Sequence, residues 1–210
     1  MISRPASSSP AQVDGLEEDR PVPKELILDS LQRRMGAMHS LYYQAVGSME
    51  LEHVNHFERE RVLPIAFSLF HFTNMEDASF MLITGTAPIW DDTWQARVRM
   101  AINDHGKQLT VAEMIHQRIG DYGAFQEYQH AVFDRTEAHL DTTDADDFVR
   151  VLIRRPFPPQ IASTYSASVA GPDGVTVLDG FECWIYQHGL RHMGEIELAR
   201  GLVGLGGMTS

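Results

Sequence analysis

The stretch WIYQHGLRHMGEIELARGLVGLGG, residues 184–207, decides how this chain is interpreted, because it joins a helical apolar pattern to a histidine pair. His188 and His192 lie four residues apart, so a helix stacks both imidazoles on one face, one turn apart. Ile185 and Ile196 belong to the same stripe, which is therefore expected to face a core. Two buried imidazoles without partners cost about 1–3 kcal/mol each. A shared metal ion would satisfy both, although such spacing also occurs without a metal.

A third metal ligand is expected from another helix, and His71 is the candidate. It lies in the segment FSLFHFTNMEDASF, residues 67–80, where Phe67 and Met75 share its face. Three neutral imidazoles leave coordination positions open, which is typical of catalytic rather than structural metal sites. This ligand set does not select among Zn, Ni, Fe, Co and Mn. Exposure to solvent is the better interpretation of the His53-x-x-His56 pair, because its segment is polar.

Several residues near these histidines have alternative interpretations. Glu76, Asp77 and Glu195 are candidates to accept hydrogen bonds from the imidazole N–H groups, although Asp77 is expected to be a surface charge. Cys183 precedes His188 by five residues, which in an α-helix turns it off the ligand face and predicts a small core residue. Arg191 is a candidate carboxylate ligand, as is the Arg154-Arg155 pair, but surface positions are expected for them.

Composition excludes some functional classes. The chain has 210 residues, enough for one domain with a real core, and its formal net charge of −12 argues against nucleic acid as a partner. No run approaches the roughly 18 apolar residues of a membrane span. Residues 1–23 are rich in Ser, Pro and acidic groups, which predicts a flexible leader. The single cysteine excludes an internal disulfide and, with the rest, predicts a cytoplasmic protein.

Apolar periodicity predicts four long helices and hence an all-α fold, a four-helix bundle over residues 24–210. The connection between the second and third helices is long enough for a crossover. Shorter helices are expected at residues 93–102 and 143–153, and an extended segment at 161–177 with a hairpin near 171–174. The four predicted long helices run from Lys24 to about Gly47, from Pro64 to about Thr84, from the Thr110-x-x-Glu113 capping box to about Leu140, and from Leu178 to about Val203.

Four segments, in this order, resemble the DinB/YfiT-like superfamily of metalloenzymes. They are LEHVNHFERERVLPIAFSLFHFTNMEDASFMLITG (residues 51–85), IWDDTWQARVRMAINDHGKQLTVAEM (89–114), YQHAVFDRTEAHL (128–140) and HGLRHMGEIELARGLVGLGG (188–207). The resemblance covers roughly residues 26–208 and maps the family's metal ligands to His71, His188 and His192. It implies a four-helix bundle with a crossover, often a homodimer. Characterised members are thiol S-transferases and isomerases that use mycothiol, bacillithiol or glutathione.

Two functional hypotheses follow from the sequence. The first is an enzyme whose three-histidine divalent ion activates a low-molecular-weight thiol for transfer to, or isomerisation of, a small-molecule substrate; a variant activates water or binds an oxygen-rich substrate. In this hypothesis Glu76 is an acid/base group or orients a ligand, and the pocket-lining residues are Trp90, Trp94, Tyr122 and Tyr128. The second hypothesis is a non-catalytic bundle that binds a metal or a small molecule.

Overall fold

The computed structural model describes residues 23–208, so the predicted leader lies outside the described residues except for Pro23. The described chain is mostly helical, as predicted, with two short antiparallel strands, β1 (Val151–Arg154) and β2 (Gly174–Thr176). A 3₁₀ turn covers Ala145–Val149, and a π-helical turn covers Phe181–Tyr186. The α-helices, in chain order, are α1 (Lys24–Gly47), α2 (Leu51–Val54), α3 (Ile65–Thr84), α4 (Asp92–Val98), α5 (Val111–Met114), α6 (Tyr122–Thr142), α7 (Pro159–Ala162), α8 (Tyr165–Val169), α9 (Val177–Gly180) and α10 (Gln187–Leu202).

The core lies between the long helices α1, α3, α6 and α10. Helix α1 packs against α6 and α10, and α3 packs against the same two helices. The predicted stripe of α1 is confirmed, since its apolar residues from Leu31 to Ala45 at helical spacing are buried. Helix α3 is buried on most of its surface and ends at Gly85, which takes the left-handed conformation that glycine accepts without strain. No helix among residues 23–208 is both long and apolar enough to cross a membrane.

The predicted third helix is wrong in its first part. The capping box of Thr110 and Glu113 is present, but it opens only the one-turn helix α5. The chain then pairs its backbone with an earlier segment: the Ala101 N–H donates to the Arg118 carbonyl, and the Gly120 N–H donates to the Arg99 carbonyl. Helix α6 begins afterwards, at an N-cap in which the Asp121 carboxylate accepts from the Ala124 N–H. A tertiary backbone pairing therefore overrides the local helical pattern.

The segment between α6 and the last helix also differs from the prediction. The helix expected at residues 143–153 is a 3₁₀ turn followed by β1, and residues 159–169 form two short helices. The predicted hairpin at 171–174 is absent, because β2 pairs with the upstream strand β1 rather than with its immediate neighbour. Gly174 allows this pairing, since its φ of 138° and its contact with the Ile153 carbonyl leave no room for a side chain. The non-local partner explains why the hairpin prediction is wrong.

Asp77 is a buried anchor rather than the surface charge expected from the sequence. Its carboxylate accepts hydrogen bonds from the Ile89 and Trp90 backbone N–H groups and from the Tyr128 hydroxyl. It also forms an ion pair of 2.6 Å with Arg135 of α6. One carboxylate of α3 thus fixes the start of the long connection and one face of α6. Removing one partner of such a buried pair is far more costly than removing a surface pair.

A second buried polar cluster surrounds His39 of α1. Its Nδ1 lies 2.6 Å from Glu137 and its Nε2 lies 3.2 Å from Glu76, while its ring stacks on Phe133 at 4.0 Å. Thr136 donates a hydrogen bond of 2.6 Å to the other oxygen of Glu76. Burial alone would lower the pKa of His39, but the negative charges and hydrogen bonds of the two glutamates raise it to about 9. The imidazolium therefore joins α1, α3 and α6.

The stability of the fold is expected to fall with rising pH through the titration of His39. Its pKa of about 9 in the folded chain exceeds the ordinary value of 6.5, so protonation stabilises the folded state. This contribution, on the order of 3 kcal/mol, is fully present below pH 6.5 and is lost as pH rises through about 9. Denaturant unfolding between about pH 6 and pH 10 should show this loss in the wild type and not in His39→Gln. The exposed His116→Gln control should behave like the wild type, and an equal slope in His39→Gln contradicts the assignment.

Candidate metal centre

The C-terminal helix carries two of the predicted ligands, and its approach to the core depends on one glycine. Helices α9 and α10 are joined through the π-helical turn into one continuous helical segment. Gly189 lies between the histidines, and its carbonyl accepts a hydrogen bond of 2.8 Å from the Tyr42 hydroxyl. A Cβ at this position would clash with the Sδ of Met38 and lie 2.6 Å from the Phe72 ring. The absence of a side chain therefore lets α10 contact α1 and α3 closely.

The structure brings His71, His188 and His192 together, as the sequence predicts. Each offers one ring nitrogen, and the three atoms lie within 4.8 Å of one another. The Nε2 atoms of His188 and His192 are 2.9 Å apart, and the His71 ring centroid lies 4.7 Å from that of His192. The three side chains are partly buried, so a bound ion would keep access to a ligand from outside. Such a triad could hold one divalent ion.

Hydrogen bonds on the far side of two rings determine which nitrogens are available. His71 donates from Nδ1 to the carbonyl oxygen of His105, and His192 donates from Nδ1 to Glu195 at 2.7 Å. Since a neutral imidazole carries one proton, each of these rings presents the lone pair of Nε2 to the cluster. The Glu195 oxygen also accepts a hydrogen bond of 3.0 Å from Ser68. A carboxylate or carbonyl behind the histidine is the usual arrangement around metal ligands.

His188 supplies the test of whether these residues fit a metal. Its buried Nδ1 has no hydrogen-bond partner within residues 23–208, and its Nε2 faces the lone pair of His192. With the proton on Nδ1, two lone pairs at 2.9 Å oppose each other unless a cation lies between them. With the proton on Nε2, the buried Nδ1 is a bare acceptor. A divalent ion takes up the two opposed Nε2 lone pairs of the first arrangement, so these atoms fit a metal, while the Nδ1–H of His188 has no acceptor among residues 23–208.

The pKa values of two of these histidines favour the neutral form that a metal requires. Burial lowers the pKa of His71 to about 4, although its hydrogen bond to His105 opposes the shift. Burial, together with the charges of His192 and His71, lowers the pKa of His188 to about 3. Burial would raise the pKa of Glu195, but hydrogen bonds from His192 and Ser68 bring it below its ordinary value. His71 and His188 are therefore neutral at neutral pH, beside the Glu195 carboxylate.

A cavity of about 330 Å³ adjoins the histidines, and His71 and His188 form part of its wall. Its wall is mostly apolar and comes from α3, α10, the π-helical turn, the loop that carries Lys107 and the segment 153–166. Its volume is in the range of small-molecule sites. The other lining residues are Met75, Ser79, Leu82, Lys107, Ile153, Ile161, Thr164, Tyr165, Ser166, Cys183, Trp184 and Arg191.

Glu76 is fully buried, and its hydrogen bonds join it to His39 and Thr136 rather than to the three histidines. Five residues separate it from His71 on a regular α-helix, which turns it to a different face. Of the three acidic candidates, Glu195 is the one that bonds to a cluster histidine. The His53 and His56 side chains instead bond to the Glu50 backbone and to Glu58.

The predicted pocket residues do not line the cavity beside the histidines. Trp90 and Trp94 pack on the Tyr128 ring, with centroid separations of 4.8 and 5.6 Å. Tyr122 donates a hydrogen bond of 3.0 Å to the Val46 carbonyl and lies beside Phe125. Trp90, Trp94 and Tyr128 pack where the long connection meets α6, and Tyr122 packs where α6 meets α1. None of the four lines the cavity beside the histidines, so their substrate-binding role stays a prediction.

Sequence reasoning missed several residues that do line the cavity. α-Helical geometry turns Cys183 away from His188, but both line the same cavity, because the π-helical turn between them lowers the rotation per residue. Trp184 and Lys107 also belong to the wall. The approach of the loop carrying Lys107 depends on Gly106, whose φ is 76° and which contacts the Phe67 ring. In the sequence, the glycine that follows His105 is the one sign that the backbone of this loop approaches another part of the chain closely.

Comparison with known proteins supports the fold alone. No family model and no curated protein matches the sequence. A crystal structure of a conserved protein from Enterococcus faecalis is similar, with a TM-score of 0.67 and 14% sequence identity. The match covers 84% of this chain and 96% of that chain. The similarity therefore extends to nearly the whole of the other fold and conveys no activity.

Replacing Gly189 by alanine is expected to destabilise the protein by about 1–3 kcal/mol, because the new methyl overlaps Met38 and Phe72. Gly194→Ala on the same helix is the matched control, since nothing lies within 4 Å of its added Cβ. The control should leave stability unchanged or raise it by up to about 1 kcal/mol. Urea unfolding of both variants measures the difference. Equal stability of the two variants contradicts the proposed close contact.

Proposed function

We propose that the protein is a divalent-metal-dependent enzyme that acts on a small molecule through His71, His188 and His192. The observation that carries the proposal is the convergence of three imidazoles at the wall of a cavity large enough for a substrate. We further assign the four long helices to a four-helix bundle with a long crossover, because each packs against two of the others. This assignment supports the resemblance to the DinB/YfiT-like superfamily.

The accessible cavity favours catalysis over metal storage or a structural metal. Structural zinc sites use four protein ligands and are closed, whereas three ligands beside a cavity leave room for an exogenous group. A divalent ion in this site supplies a Lewis acid that lowers the pKa of a bound thiol or water. The non-catalytic bundle that binds a metal or a small molecule is the alternative, and turnover distinguishes it from the enzyme. The ligands lie on two rigid helices, α3 and α10, which suits a site that must keep its geometry.

The chain's own residues prepare the site for a thiol substrate. Glu195 and the His105 carbonyl fix the ring orientations of His192 and His71, and so hold their Nε2 lone pairs towards the cluster. The apolar wall formed by Met75, Leu82 and Trp184 excludes water and stabilises apolar parts of a substrate. We propose a low-molecular-weight thiol of the mycothiol, bacillithiol or glutathione type as co-substrate, in S-transfer or isomerisation. The proposed assembly is a homodimer.

Metal content is the direct test of the site. Untagged protein should contain about one divalent ion per chain after reconstitution with Zn, Ni or Fe. Ala substitution of His71, His188 or His192 should abolish metal loading while circular dichroism still shows a folded helical protein. The exposed His116→Ala variant is the control and should retain the ion. Unchanged metal content in the ligand variants, or no ion in the wild type with all three metals, contradicts the proposal.

Turnover separates the enzyme from the non-catalytic bundle. Metal-loaded protein is mixed with mycothiol, bacillithiol or glutathione and a panel of electrophiles. Loss of free thiol reports S-transfer, and thiol-dependent loss of the electrophile at constant free thiol reports isomerisation. Saturable consumption in the wild type, absent from His188→Ala, supports S-transfer. If the folded, metal-loaded protein shows no thiol-dependent turnover, the thiol assignment is contradicted. The metal site is then tested separately by the metal content.

Glu195 is expected to strengthen metal binding through His192 rather than by direct ligation. Glu195→Gln keeps the shape but removes the negative charge that accepts the His192 N–H, so metal affinity should fall about 10–100-fold. Competition with a chelator measures this change. Glu182→Gln on the same helical segment is the control, because Glu182 pairs with Arg34 away from the histidines. Equal affinity of the two variants shows that Glu195 does not orient a ligand.

A further inference from the structure

Two cationic side chains line the cavity beside the three-histidine cluster. Arg191 comes from α10 and Lys107 from the loop after His105, so two distant parts of the chain bring positive charge to one wall. Neither forms a side-chain ion pair with a carboxylate of residues 23–208, and both side chains are exposed, so a ligand from solvent can reach both charges. The chain as a whole has a net charge of −12, so unpaired cations at a single cavity are a local reversal of its charge.

Both cations lie on the cavity wall that His71 and His188 also form. Arg191 is also one residue from His192, which ties its position to the ligand helix. An anionic group held by these side chains would lie next to the three imidazoles.

The rest of the wall selects against a highly charged ligand. Met75, Leu82 and Trp184 contribute apolar surface, and polar contacts come from hydroxyl groups such as Thr164. Moving a phosphate dianion into such surroundings costs more desolvation energy than moving a carboxylate. The guanidinium of Arg191 can donate two parallel hydrogen bonds to a carboxylate, and the ammonium of Lys107 adds a third donor. The wall and its charges thus match one carboxylate on an apolar body.

We propose that the cavity binds an organic acid, with its carboxylate held by Arg191 and Lys107 and its apolar body against Met75, Leu82 and Trp184. This inference rests on the proposed function for the role of the neighbouring histidines, and it names the substrate class of that site. The cavity of about 330 Å³ limits the acid to a small molecule. The carboxylate is a recognition group, and a different group of the same molecule faces the histidines.

Binding of matched acids and amides tests the proposal on the full chain. Calorimetry with phenylacetate and octanoate, against phenylacetamide and octanamide, is carried out on zinc-loaded and on metal-free protein. We expect each acid to bind at least about tenfold more tightly than its amide in both states. Arg191→Gln and Lys107→Gln should each weaken acid binding about 3–10-fold, and the double variant should remove the preference. Arg33→Gln, which breaks an exposed pair with Asp29 on α1, is the control and should leave binding unchanged.

Several results would overturn the inference, and they are distinct from failure of the metal site. Equal binding of acid and amide, undiminished acid binding in the double variant, or no binding of either acid below about 10 mM contradicts it. Acid binding that needs zinc but not Arg191 shows that the carboxylate binds the metal instead. Tighter binding of phenyl phosphate than of phenylacetate shows a phosphate site. The variants should bind as much zinc per chain as the wild type. If neither the wild type nor any variant binds zinc, the metal centre is refuted. The binding measured on metal-free protein then still tests whether Arg191 and Lys107 hold the carboxylate.

Discussion

The fold depends on a constraint set by α3: a helix buried on most of its surface carries ionisable side chains on several faces. Burying a charge without a partner costs several kcal/mol, so each of these groups requires a specific neighbour. Asp77 is satisfied by Arg135 and by backbone N–H groups of the long connection. Glu76 is satisfied by His39 and Thr136. Because the partners come from α1, α6 and the connection, satisfying α3 fixes how these elements pack around it.

The same helix brings the candidate site into this arrangement. Ser68 and His71 lie on the face of α3 that meets α10, where they contact Glu195 and the other two histidines. The opposite side of α3 is held rigidly by the buried ion pairs, so the ligand face has little freedom to shift. Preorganisation of this kind is what a site on helices offers over a site on loops. The rest of the cavity wall includes the loop of Lys107 and residues 153–166, where substrate selection is expected to reside.

Local patterns in the sequence predicted α1, α3 and the C-terminal helical segment, and the spacing of His188 and His192 with His71 predicted the cluster that the structure assembles. They failed where a distant segment decides the local structure. The strand at Val151–Arg154 exists because of a partner more than twenty residues later, and the start of α6 depends on backbone pairing with residues 99–101. The residues of the cavity wall could not be predicted from local patterns either, because the tertiary fold brings their segments together. The aromatic residues Trp90 and Trp94 were sensible pocket candidates, but their neighbours are set by the course of the connection.

The π-helical turn at Phe181–Tyr186 has a consequence for how insertions and deletions would act on this chain. Such a turn accommodates one residue more than an α-helical turn, so everything C-terminal to it is rotated by about 100° relative to everything before it. Phe181 faces the core on one side of this offset, and His188 faces the cluster on the other. Deletion of one residue here would give a more regular helix with an unbroken backbone ladder, yet it would place either Phe181 or His188 out of angular phase with its partners. The irregular turn therefore lets Phe181 face the core and His188 face the cluster within one continuous helical segment.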